Sequence, residues 1–185
     1  ADRELSYNFK GKTGTSFVAC NKLICEDSDS TQINLDQDFV VKDSYLEKGC
    51  SAYILVDGPT WDESNNNAKK LGGHLVTLNN KEESEWIVKN IKWIPPEDQS
   101  RAYKSDKIIV YWIGLNDSES EGKLKWADGT VVDYKQRPAT DTYGDEDWFV
   151  LSSNGVWNDL TQTPNDWSMG NWQTKYGIAE IPICN

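Results

Sequence analysis

The run "KIIVYWIGL" (107–115) constrains this chain more than any other stretch. It is rich in β-branched and aromatic residues and carries no charge from Ile108 to Leu115, so it reads as a buried strand. Such a strand needs a core around it. With 185 residues, 37% of them hydrophobic, nine Trp and eight Tyr, the chain can bury one good-sized core. One main domain plus an extension is expected, and a second full domain is not. Directly after the apolar run comes "NDSESEG" (116–122), where core gives way to polar and acidic side chains. Their purpose has to come from what they meet.

The charge balance narrows the partners. A net charge of −11 argues against nucleic acid, whose phosphates demand a basic face, and against docking on anionic membrane. If the acids cluster, it favours cations. No run of about eighteen apolar residues occurs, so no membrane-inserted helix is expected. The amino end lacks the charged-then-apolar pattern of a signal peptide, and any such signal is expected to have been removed. Cys20, Cys25, Cys50 and Cys184 show no CxxC spacing, and the single His74 cannot complete a Cys/His zinc site of the usual kind. Two disulfides formed in an oxidising compartment are expected in preference to free buried thiols.

Residues 1–46 hold short apolar-polar alternations, "TSFVAC" and "DFVVKDSYL", around the polar turn "EDSDSTQ", and read as a small β-rich extension. The body spans 47–185. "SAYILVDG" is a strand, "TWDESNNNAKKLGG" a helix with Trp61, Ala68 and Leu71 inward, and "HLVTL" a short strand. "NKEESEWIVKNI" is a second helix, capped by Asn79 or Asn80, with Trp86, Ile87 and Ile91 on one face. Pro95 and Pro96 prevent its continuation. After the strand at 107–115 the order is strand, turn and loop as far as "YGIAEIPIC".

Five pieces in this order, "TWDESNNNAKKLGGHLVTLNNKEE", "YWIGLNDSESEGKLKWADGTVVDY", "GDEDWFVL", "GVWNDL" and "YGIAEIP", resemble the C-type lectin-like domain, especially its bacterial-type members. The resemblance implies an α+β fold of two helices with mixed and antiparallel sheets, whose chain ends meet in antiparallel strands and whose long loop region binds calcium. It sets Cys50, at the start of the first strand, opposite Cys184, at the end of the last. The vertebrate helix-to-strand bridge is missing, because Leu71 and Ala179 occupy about those places. Cys20 and Cys25 are close enough to close a local hairpin in the extension.

Ca²⁺ takes six to eight oxygen ligands, supplied by Asp, Glu, Asn and carbonyls that loops bring together. The resemblance puts Asp117 and Glu121 where family members carry two ligands of an accessory calcium, and Glu146 and Asp147 on the acidic pair that completes it. The alternative is that these acids only solvate a surface loop. In sugar-binding members a second calcium is held by an "EPN" or "QPD" triplet, a following Glu, and the Asn-Asp of "WND", and sugar hydroxyls join its shell. Here Glu146, Asn158 and Asp159 are supplied and the triplet is not. Either Arg137-Pro138-Ala139 stands in its place, or Asp141 serves as the first carboxylate. Asp141 is preferred, because Arg137 would oppose the metal.

Trp112, Trp126 and Trp157 are expected in the core, and His74 in the scaffold. Trp167 and Trp172 sit in a long polar loop, where an indole can stack on a sugar, anchor a protein contact or form a minicore. No GxSxG, no histidine beside a nucleophile and no phosphate-cradling loop is present, so no enzyme is expected. The expected function is a calcium-dependent lectin, secreted or at a cell surface, that binds glycans of a cell or matrix. The alternative is an adhesin or receptor-binding module that takes a protein partner and uses calcium only to order loops.

Overall fold

The computed structural model describes residues 16–18, 32–95, 109–136, 146–162 and 174–184. In chain order the elements are β1 (Ser16–Val18), β2 (Gln32–Asn34), β3 (Leu46–Lys48), β4 (Ser51–Asp57), α1 (Trp61–Lys70) and β5 (His74–Leu75). Then come α2 (Lys81–Asn90), β6 (Val110–Asn116), β7 (Lys125–Trp126), β8 (Trp148–Ser152), β9 (Trp157–Leu160) and β10 (Tyr176–Pro182). β1 and β2 form a two-stranded sheet, and the others form an eight-stranded one in the order β3-β4-β10-β6-β8-β9, with β5 on β10 and β7 on β6.

Both helices start where the sequence carries capping chemistry. Thr60 Oγ1 accepts from the Glu63 amide while the Glu63 carboxylate accepts from the Thr60 amide, a reciprocal box that satisfies two orphan donors. Asn80, rather than Asn79, caps α2 by accepting from the Glu83 amide. α1 turns Trp61, Ser64, Asn65 and Ala68 inward, and α2 buries Ser84 and Ile87. The Trp61 indole donates to the Ile113 carbonyl at 2.7 Å, pinning the start of α1 to β6.

β6 is the strand that the opening run requires, buried at all seven positions. It lies between β10, parallel at Gly177↔Trp112, and β8, antiparallel. Backbones crowd there. A Cβ on Gly114 would meet the Leu75 carbonyl at 2.5 Å, and one on Gly177 would meet Leu75 Cδ2 at 2.6 Å, so both positions need glycine for close approach. The segment after α2 is fastened to the same strand. Trp93 stacks on Tyr111 at 4.8 Å, and the Tyr111 hydroxyl donates to the Lys92 carbonyl while accepting from the Ile94 amide.

The chain ends close as the resemblance implies. β4 and β10 pair antiparallel from Ser51↔Pro182 to Asp57↔Tyr176, and Cys50 is bonded to Cys184 with Cα atoms 5.0 Å apart. Leu71 and Ala179 lie in one buried cluster with Ile54, Val56, Ala68 and Ile181, so apolar packing fills the place of the vertebrate bridge. Ile33 joins that cluster, fully buried, with Leu35, Phe39 and Val40 against it. Val40 bridges Val56, and the Val41 amide donates to the Leu55 carbonyl, so residues 39–48 line the edge of β4 that β10 leaves open.

Candidate functional site

The acidic stretch after β6 turns out to be the closing of a hairpin. β7 returns antiparallel to β6 at Leu115↔Trp126 and Asn116↔Lys125. Between them the Ser120 amide donates to the Asp117 carbonyl, the Lys123 amide to the Ser120 carbonyl, and the Gly122 amide to Asp117 Oδ2, each at 2.9 Å. Gly122 has φ +73°, which a glycine adopts without steric cost. Ser118 Oγ donates to Asn116 Oδ1, and Glu119 is paired with Lys125. Chain-internal bonds therefore shape the loop.

One atom in it is left over. Asp117 is 3% exposed, and while Oδ2 takes the Gly122 amide, the buried Oδ1 has no hydrogen-bond partner among the described residues. A buried carboxylate oxygen without a donor is costly unless a cation meets it. The Asp117 amide donates to the Asp147 carbonyl at 3.1 Å, so the loop lies directly beside the second acidic segment. Glu121 is exposed on the hairpin, and Glu146 and Asp147 are half-buried ahead of β8. A hard cation fits this donor set of carboxylates and carbonyls. Among the described residues, no three His, Cys, Asp or Glu side chains already converge into a metal-holding group.

β8 carries the acidic segment onto β9. Phe149 pairs with Asp159 and Val150 with Asn158, so both residues of the "WND" piece lie in the sheet one strand from the Glu146-Asp147 segment. Asn158 and Asp159 are half-buried, and Asn158 Nδ2 donates to the Asp159 carbonyl at 2.8 Å. Trp157 before them is core, 2% exposed, as are Trp112 and Trp126 at 1%. His74 sits on β5 with Nδ1 2.9 Å from the Leu75 carbonyl and Nε2 4.0 Å from Asp128, in the scaffold. Asp141, Arg137, Trp167, Trp172, Cys20 and Cys25 lie outside the described residues.

Two residues that sequence reasoning passed over stand out. Glu180, nearly buried in β10, accepts from Ser51 Oγ and from the amide and hydroxyl of Thr77, tying β4 and the segment after β5 to the last strand. Burial first, then the carboxylates of Glu180 and Glu83, push the Tyr53 phenol well above its ordinary range. The signal was a lone Glu inside the apolar "YGIAEIPIC". Tyr134 packs against the main core and meets Trp157 edge-on at 5.7 Å, although its neighbours gave it no apolar period of its own.

Comparison with known proteins matches residues 57–168 to the lectin C-type domain. Rat (Rattus norvegicus) asialoglycoprotein receptor 2 is 31% identical over 137 residues, 68% of this chain and 40% of the receptor, so the chain spans well under half of that relative. The carbohydrate-recognition domain of cow CD23, solved in the presence of an oligosaccharide, superposes with a TM-score of 0.57 at 19% identity, covering 78% of this chain and 98% of that one. A calcium-independent type II antifreeze protein superposes with a TM-score of 0.56 at 19% identity, over 78% of this chain and 96% of its own. The rat and cow proteins are animal members, and the likeness to them does not reach the bacterial-type subgroup that the resemblance favoured. With the five ordered sequence pieces, the paired chain ends and the two-helix mixed sheet all agreeing with the matched domain, the chain belongs to the C-type lectin domain family.

Proposed function

We propose that the chain is a calcium-dependent carbohydrate-binding domain that works outside the cell, secreted or on a cell surface, and recognises glycans. The observation that carries the reading is the buried, unpartnered oxygen of Asp117 beside the Asp147 segment, a place where a dication would turn an electrostatic cost into an attraction. Asp117, Glu121, Glu146 and Asp147 would hold an accessory calcium. Glu146, Asn158 and Asp159, with Asp141 in place of the missing triplet, would hold a second whose open positions take sugar hydroxyls. Calcium supplies flexible coordination there, and the chain's carboxylates and amide strengthen the hydrogen bonds to the sugar. Trp167 and Trp172 would add stacking faces.

The family consists of binding domains, and no catalytic step is assigned. Residues 47–185 are taken as the lectin domain and 1–46 as its extension, with Cys20 bonded to Cys25 within it. Burial of Ile33 against Ile54 and Val56 supports an extension that is packed on the domain, not trailing from it. Among the described residues no helix is long and apolar enough to cross a membrane. The second reading is a protein-binding module in which calcium only orders loops, and the likeness in fold to a calcium-independent antifreeze protein favours keeping it. A glycan array probed in calcium and again in chelator separates the two: the lectin reading expects a set of sugars bound only with calcium, and a blank array in both conditions favours the protein partner.

A further inference from the structure

The stretch from Thr130 to Gln136 follows β7 over the surface as a strap. It is irregular, yet its side chains alternate as an extended chain requires. Val131 is 75% exposed and Asp133 faces solvent on the same outward row with Lys135, whereas Val132 and Tyr134 turn in against the main core. Those two inward side chains are the pegs of the strap. Tyr134 is the later of them, and its ring meets Trp157 at 5.7 Å and 86°, while Trp126 meets the same indole at 5.9 Å and 76°. Two rings thus meet the buried Trp157 in T-shaped contacts. Its next neighbours along β9 are Asn158 and Asp159.

We propose that Tyr134 is a positioning residue for the sugar-bearing calcium, an inference that rests on the functional reading above. Tyr134 acts through Trp157. It fixes Trp157, and with it the Asn158-Asp159 stretch of β9, because its ring is packed against that indole. The Asp117 loop is held by its own internal bonds, and its hairpin keeps the separate Trp126 contact to Trp157. Loss of the ring should therefore loosen one calcium site and spare the other. Partners that orient metal ligands typically change affinity by about 10–100-fold when removed, which sets the scale here.

The test is a calorimetric titration of the full chain with calcium alone, on wild type, Tyr134→Phe, Tyr134→Leu, Asp117→Ala and Asp159→Ala. The two alanine variants identify which binding step belongs to which site. Tyr134→Leu is expected to weaken the Asp159-dependent step by about tenfold or more while leaving the Asp117-dependent step as in wild type. Tyr134→Phe, which keeps the ring edge, should titrate as wild type does. A Tyr134→Leu titration indistinguishable from wild type overturns the inference alone, as does equal weakening of both steps. A wild-type chain with no Asp159-dependent step overturns the functional reading and this inference with it. Melting each variant in chelator checks folding, and the Phe variant keeps the inference open to refutation if Leu does not fold.

Discussion

Replacing Asp117 by Asn should change sign with calcium. In chelator the wild-type side chain is a 3% exposed carboxylate with one oxygen bonded to the Gly122 amide and the other unpartnered among the described residues. An uncompensated buried charge costs more than an uncompensated amide of the same shape, and an Asn can still accept from Gly122 through its own oxygen. Removing the charge should then be neutral or stabilising by about 1 kcal/mol, toward the low end for unsatisfied buried groups. In calcium the sign reverses. Ligand binding to the folded chain alone contributes about 2.7 kcal/mol at a hundredfold excess over Kd, and the variant forfeits most of it. At roughly 2–4 °C per kcal/mol for a chain of this size, Asp117→Asn should melt slightly above wild type in chelator and several degrees below it in calcium. Melting curves followed by circular dichroism in the two buffers suffice. A variant that melts below wild type by the same margin in both, or a wild type indifferent to calcium, would refute the reasoning, since the first makes Asp117 a purely structural side chain and the second removes the cation.

Four further outcomes are expected. Opening the Cys50–Cys184 bond, which spans 134 residues, removes a constraint that the chain-entropy model places at about 5 kcal/mol at most, so reduction should lower the melting temperature steeply in a calorimeter. Gly114→Ala forces a Cβ to within 2.5 Å of the Leu75 carbonyl, and because backbone cannot rotate away it should cost about 3 kcal/mol or more in urea melts. Deleting residues 1–45 uncovers Ile54 and Val56 and removes Ile33, and should produce a chain that melts early and binds a hydrophobic dye. Burial pushes the Tyr111 phenol up to about 12, so its contribution is intact below pH 10 and lost as pH rises from there toward 12. Tyrosinate absorbance should show a late-titrating group that Tyr111→Phe eliminates.

The parts legible in the sequence are those whose physics is local or periodic. The β6 run and the capped helices could be read because composition and spacing carry them, whereas the Leu71-to-Ala179 packing was implied by the family resemblance. The place of residues 33–48 was harder to read, since alternations of two or three apolar residues do not reveal which strand edge they will meet, and here that edge is β4. Asp117 could be nominated as an acid but not as a buried one with an unpartnered oxygen, because burial depends on the distant Asp147 segment lying against it. Tyr134 was illegible for the same reason, its partner Trp157 being twenty-three positions away in the chain.

The central claim is that sugar is bound through a calcium held by Asn158 and Asp159. Its most direct test is calorimetric titration of a glycan captured on the array into wild type in calcium, wild type in chelator, and Asp159→Ala in calcium. A binding isotherm is predicted in the first, none in the second, and none recovered by raising calcium in the third. Glycan binding that persists in chelator, or that Asp159→Ala shows unchanged, would contradict it.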